Sequence, residues 1–132
     1  ARLKLHHFGF LSLNLEDTVN DFILLGHKVI SDVIRDSERG VDIVFLTSET
    51  NEMIEIVSPY IENSVVRGLV RKNKNNIYHI AYLVSGIEDN ILSLQSKGFV
   101  LIDSPKPAIA FNGKNVAFLI SSYVGMIELI EE

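Results

Sequence analysis

Apolar and polar positions alternate along residues 3–12, and few helix formers interrupt them, so the chain is expected to open with a strand. Leu15, Val19, Phe22 and Ile23 then recur at helical spacing behind Asn14 or Asp17, either of which can cap a helix, and Gly26 closes the segment. β-Branched residues from His27 to Arg35 predict the next strand, Asp36 to Gly40 a polar turn, and Val41–Thr47 and Met53–Val57 two further strands. The same order returns later, with a strand at 77–84, a helix at about 87–97 ended by Gly98, and strands near 99–103, 115–121 and 125–131. Between the halves, Pro59 to Asn76 reads as a linker. Its middle, Ser64 to Arg71, suits a short helix with Val65, Val66, Leu69 and Val70 on one side.

The recurrence extends to individual residues. At an offset of 72, Leu5-His6-His7-Phe8-Gly9-Phe10-Leu11 matches Ile77-Tyr78-His79-Ile80-Ala81-Tyr82-Leu83, and Gly26 matches Gly98. After a one-residue slip, Gly40 to Ser48 lines up with Gly113 to Ser121, and Met53-Ile54-Glu55-Ile56 with Met126-Ile127-Glu128-Leu129. The fold class expected is α+β: two βαβββ modules, each with one sheet face covered by its helix and the other open. A pseudo-twofold arrangement would let two mixed, curved sheets enclose a shared cavity where equivalent residues converge. The whole chain, 1–132, reads as one domain, with module 1 at about 3–58, the linker at 59–76 and module 2 at about 77–131.

Composition narrows the function classes. The 132 residues carry 17 acidic and 12 basic side chains, a net charge of -5, and no cysteine. Area scaling leaves about two thirds of the extended chain's surface to be buried, enough for a core without disulfides. The acidic balance argues against nucleic acid as a partner, and no apolar run approaches the length that spans a membrane. A cytoplasmic protein is expected.

Chemistry enters through the residues that the repeat pairs, His7 with His79 and Glu55 with Glu128. Each sits inside a strand among apolar neighbours, where an ionisable group is costly to bury unless it is paired or binds a metal. A strand histidine taken alone is more often packed and hydrogen-bonded, and a strand glutamate is usually solvated. Two of each at equivalent positions would need four independent accidents. Two imidazoles and two carboxylates suit one divalent metal ion (Ni, Co, Zn, Mn or Fe), with positions left open for substrate in an octahedral geometry. His6 and His27 match Tyr78 and Phe99 and have no histidine partner, so both read as structural or surface residues.

His7-Phe8-Gly9-Phe10, Ile54-Glu55-Ile56-Val57-Ser58-Pro59, Tyr78-His79-Ile80-Ala81-Tyr82 and Gly125-Met126-Ile127-Glu128-Leu129 resemble the vicinal oxygen chelate (glyoxalase/bleomycin resistance) superfamily, over nearly the whole chain. Within it the likeness is greatest to methylmalonyl-CoA epimerase, through the linker Asn63 to Leu69, the turn Ser37 to Val41 and the strand Gly113 to Leu119. The family's metal ligands fall on His7, Glu55, His79 and Glu128. The chain departs from the epimerase pattern at Asn75-Asn76, at Tyr78, at Ala108 to Phe111 and at Ser121 to Tyr123.

The resemblance implies a metal-dependent isomerase or lyase that removes a proton next to a carbonyl through an enolate, with Glu128 as base and Glu55 as its symmetry mate. Return of the proton to the opposite face of the same carbon makes an epimerase, and transfer to the neighbouring carbon makes a lactoylglutathione lyase. A biosynthetic isomerase and an antibiotic-binding resistance protein share the same fold. A second catalytic carboxylate is open between Glu38 and Asp42. Arg67, Arg71, Lys72 and Lys74 either meet a CoA phosphate or form a solvated face, the more common case. The partners implied are a small carbonyl or acyl-thioester substrate and a second copy of the chain in a homodimer, with no nucleic acid and no membrane.

Overall fold

A computed structural model describes residues 3–62, 64 and 75–132. These form nine strands, two α-helices and one turn of 3-10 helix, in the order β1 (Lys4–Leu11), α1 (Leu15–Leu24), β2 (Lys28–Val29), β3 (Ile34–Asp36), β4 (Val41–Thr47), β5 (Met53–Pro59), β6 (Asn76–Val84), α2 (Ile87–Ser96), β7 (Val100–Pro107), the 3-10 turn (Ile109–Phe111), β8 (Asn115–Ser121) and β9 (Gly125–Glu131). The chain is mixed α+β, with the βαβββ order in the second half and the same order in the first once β2 and β3 are counted as one interrupted strand. The contacts group residues 7–78 into one unit, and residues 1–6 with 79–132 into another.

In the first unit the strands run β2-β4-β5-β1, with β3 also on β4. The β1–β5 pairing is parallel and sets Gly9 opposite Glu55, while β4 and β5 are antiparallel and set Phe45 opposite Glu55. Helix α1 begins behind Asn14, whose backbone is extended and whose side-chain oxygen accepts the Asp17 amide, so Asn14 and not Asp17 is the cap. Gly26 takes φ +101° and turns the chain out of the helix. The helix lays Leu15, Val19 and Phe22 over Val44, Leu46, Ile56 and Phe10. Complete burial of side chains such as Leu46 and Ile56 contributes about 1.5–3 kcal/mol each.

The strand expected from His27 to Arg35 is two short strands, β2 and β3, separated at residues 30–33. Ser31 is the reason. Its hydroxyl accepts the Phe45 amide at 2.9 Å, while Ile30 donates to the Phe45 carbonyl, so a side chain replaces a rung of the ladder and the strand breaks. The turn that follows is pinned by Asp36, which accepts both the Arg39 amide and its guanidinium.

In the second unit the strands run β6-β9-β8-β7. The β6–β9 pairing is parallel and sets Ala81 opposite Glu128, and β8 sets Phe118 opposite the same glutamate. Both relations repeat those of the first unit. Helix α2 buries Ile87 and Ile91 against Val84, Ala117, Leu119, Ile127 and Leu129. Strand β7 runs on to Pro107, past the expected end near residue 103. Pro105 is tolerated because β7 is at the end of the strand order and its pairing with β8 shifts register between Leu101 and Lys106. The 3-10 turn was not foreseen in the sequence. It brings Ala108 and Phe111 onto Ala81, Val116 and Ile130, the sheet face turned away from α2.

The helix expected in Ser64 to Arg71 lies outside the described residues, apart from Ser64 itself. No helix among the described residues is long and apolar enough to cross a membrane.

Candidate metal centre

The strand pleat separates two chemistries in each unit. On β1, Phe10 goes to the α1 side, so His7, Gly9 and Leu11 take the other face, where the alternation on β5 also puts Glu55 and Val57. The His7 Nε2 lies 3.2 Å from the Glu55 Oε1. Both side chains are buried, and the Phe45 ring stands edge-on to the imidazole with centroids 6.0 Å apart.

The second unit builds the same pair from β6 and β9. The His79 Nε2 lies 3.3 Å from the Glu128 Oε1, again with both residues buried, and Phe118 meets the His79 ring edge-on at 5.4 Å. Burying a carboxylate is costly, and a histidine nitrogen at this range offsets the cost through a shared proton or a shared cation. The Nε2 and Oε1 atoms are both electron-pair donors once the proton is lost. Each unit thus carries one buried His–Glu pair, His7 with Glu55 and His79 with Glu128, and imidazole and carboxylate donors of this kind fit a divalent first-row metal.

The remaining candidates have other roles in the described structure. Asp42 shares the α1-side parity of Val44 and Leu46, opposite to Phe45. Its two oxygens accept the Arg35 Nε and Nη2 at 2.9 Å each. The Arg35 guanidinium also stacks on the Tyr60 ring at 3.8 Å, and its bonds to Asp42 hold it protonated more firmly than usual. Asp42 is therefore engaged in a structural pair. Glu38 is exposed in the β3–β4 turn. His6 is half-buried with its ring edge-on to Phe111, and His27 packs the same way on Phe22. Arg67, Arg71, Lys72 and Lys74 lie outside the described residues. Phe45 and Phe118 were not singled out in the sequence, although both stand at equivalent positions in the repeat.

Comparison with known proteins places this geometry in a family. Residues 6–118 match the family model of the Glyoxalase/Bleomycin resistance protein/Dioxygenase superfamily. The chain belongs to that superfamily. A mitochondrial methylmalonyl-CoA epimerase of Dictyostelium discoideum is 30% identical to this superfamily member over 117 residues, which are 88% of this chain and 69% of the relative. Among solved structures, hypothetical protein BH1468 from Bacillus halodurans C-125 is similar across 100% of this chain and 96% of its own, with TM-score 0.86 and 28% identity. The methylmalonyl-CoA epimerase of Mycobacterium tuberculosis shares the fold at TM-score 0.81 and 21% identity, covering 97% of this chain and 87% of that one. A Streptomyces coelicolor methylmalonyl-CoA epimerase in complex with 2-nitronate-propionyl-CoA shares it at TM-score 0.82 and 20% identity, with 99% of each chain covered.

Proposed function

We propose that the chain is a divalent-metal-dependent epimerase that removes and returns the proton next to the carbonyl of an acyl-CoA thioester, with methylmalonyl-CoA as substrate. The observation that carries the reading is the duplicated His–Glu pair, buried in both units and found in a chain 30% identical to a methylmalonyl-CoA epimerase. His7, Glu55, His79 and Glu128 are the proposed ligands of one ion. When bound, that ion supplies Lewis-acid stabilisation of the charge that develops on the carbonyl oxygen.

The chain's own residues supply the rest. Glu128 takes the α-proton at one face of the carbon, and Glu55, its counterpart in the repeat, serves the opposite face. Positioned general-base catalysis of this kind contributes about 10²–10⁴ in rate. His7 and His79 each present Nε2 beside its glutamate oxygen, at 3.2 and 3.3 Å, and so keep the nitrogen and oxygen donors together. Burial of all four side chains keeps bulk water from competing for the proton. A homodimer in the cytoplasm belongs to the same reading. It is supported by the exposed apolar residues Leu24, Leu25, Val29 and Val33, and sedimentation equilibrium measures it.

The test is solvent deuterium exchange into methylmalonyl-CoA, followed by NMR, with Co or Ni added to chelator-stripped protein. Metal-dependent exchange at the α-carbon is expected. Metal uptake without exchange would discard the CoA substrate and move the assay to glutathione hemithioacetals, the lactoylglutathione lyase substrates.

A further inference from the structure

Each His–Glu pair has an aromatic ring on the adjacent strand, at the same register in both units. Phe45 is the cross-strand partner of Glu55, and Phe118 is the cross-strand partner of Glu128. Each ring reaches past the glutamate to the histidine and meets it edge-on, at interplanar angles of 80° for His7–Phe45 and 76° for His79–Phe118. Aromatic pairs favour this arrangement because the positive edge of one ring faces the negative face of the other. An imidazole has a broad, two-fold χ2 preference, so its own torsions do not fix which way Nε2 points. A T-shaped neighbour narrows that choice.

We propose that Phe45 and Phe118 are a duplicated pair of positioning residues that set the ring rotation of His7 and His79 and keep each Nε2 directed at its glutamate oxygen. The inference rests on the proposed sharing of one metal ion by the four ligands. Polar second-layer partners of metal ligands usually do this work through hydrogen bonds, and their loss typically weakens metal binding about 10–100-fold. Here part of the work falls to ring packing. The two copies differ in setting: Phe45 is 7% exposed, whereas Phe118 is only partly buried. Phe118 is therefore the position where substitution disturbs the histidine with least damage to the core.

Co(II) affinity of chelator-stripped protein, measured by competition with a chromophoric chelator, tests the role. It is read beside the Co(II) d–d absorption and the melting temperature. Phe118→Leu, which keeps apolar bulk and loses the ring, is expected to weaken Co(II) binding about 10-fold and to change the d–d spectrum. Phe118→Tyr, which keeps the ring, restores wild-type affinity, and Phe45→Leu repeats the loss at the other pair. Val116→Ala, on the same face of β8 with no ring contact to His79, controls for loosened packing and leaves affinity unchanged. Equal Co(II) affinity in Phe118→Leu and wild type, or an equal loss in Val116→Ala, would overturn the positioning role alone. Failure of the wild type to take up Co(II) would overturn the shared-ion reading. The ring contact is then read without metal, as a ring-current shift of the His79 carbon-bound protons that Phe118→Leu must abolish. Its persistence in that variant would remove the contact as the cause.

Discussion

Ala81 stands directly across the parallel β6–β9 ladder from Glu128, as Gly9 stands across from Glu55. In both units a residue with no side chain or only a methyl group therefore neighbours the glutamate on the sheet face that carries the histidine. A larger residue there would crowd the glutamate beside it. Ala81 is fully buried among Ala108, Val116 and Ile130, so Ala81→Val is expected to destabilise the fold by about 1–3 kcal/mol through overpacking. It should also weaken metal binding. Chemical denaturation and metal titration of the same variant separate the two effects.

Replacing the ligands should divide metal binding from chemistry. Glu128→Gln keeps the shape and one donor oxygen, so it is expected to abolish α-proton exchange while lowering metal affinity only moderately. His79→Ala removes a nitrogen donor and should release the metal. Deuterium exchange by NMR and metal content of the dialysed protein check both variants, and exchange retained in Glu128→Gln would assign the base to another carboxylate.

Asp42 provides the contrasting case. Its carboxylate is bound at both oxygens by Arg35 on the strand face away from Phe45, so Asp42→Asn is expected to leave exchange unchanged. The arginine side of the pair is exposed to solvent, which screens it, so its loss should change stability little. A drop in turnover with normal metal content would count against this assignment.

Gly40 joins backbone strain to close packing. It sits at φ +70°, and a Cβ added there would lie 2.8 Å from Ile61 Cδ1 and 3.1 Å from the Ser64 Cα. The left-handed conformation costs an L-residue about 1–2 kcal/mol, and the crowding adds about 1–3 kcal/mol. Gly40→Ala is thus expected to lower the urea midpoint markedly, with partial recovery in Gly40→Ala combined with Ile61→Ala.

The loop before β5 should respond to acid. Glu52 accepts the Ser48 hydroxyl at 2.6 Å and the Thr50 hydroxyl, and these bonds hold its carboxyl below the usual range. A depressed folded-state pKa means that the contribution is present above the unfolded-state value near 4.5 and is lost as pH falls through the folded value. Glu52→Gln is therefore expected to flatten the dependence of stability on pH below about 4.5, close to the ordinary carboxylate value. The side chain is fully exposed, so the effect should be small in denaturation curves recorded between pH 3 and 6.

The sequence by itself determined the repeat, the βαβββ order and the four ligands proposed. Period-2 alternation and strand register are local properties, and a duplicated pattern doubles their signal. The strands Val41–Thr47, 115–121 and 125–131 end where they were expected because turns rich in glycine and polar residues bound them. Tertiary structure decided what depends on partners distant in sequence. The Ser31 hydroxyl broke a strand because the Phe45 amide came opposite it, and Pro105 stayed in a strand because β7 lies at the end of its order. Asp42 took the face away from His7 and Glu55 and found Arg35 on β3. Phe45 and Phe118 became neighbours of histidines 38 and 39 residues away along the chain. No local pattern encodes such contacts, since they follow from strand pairing and from the direction in which each side chain leaves the sheet.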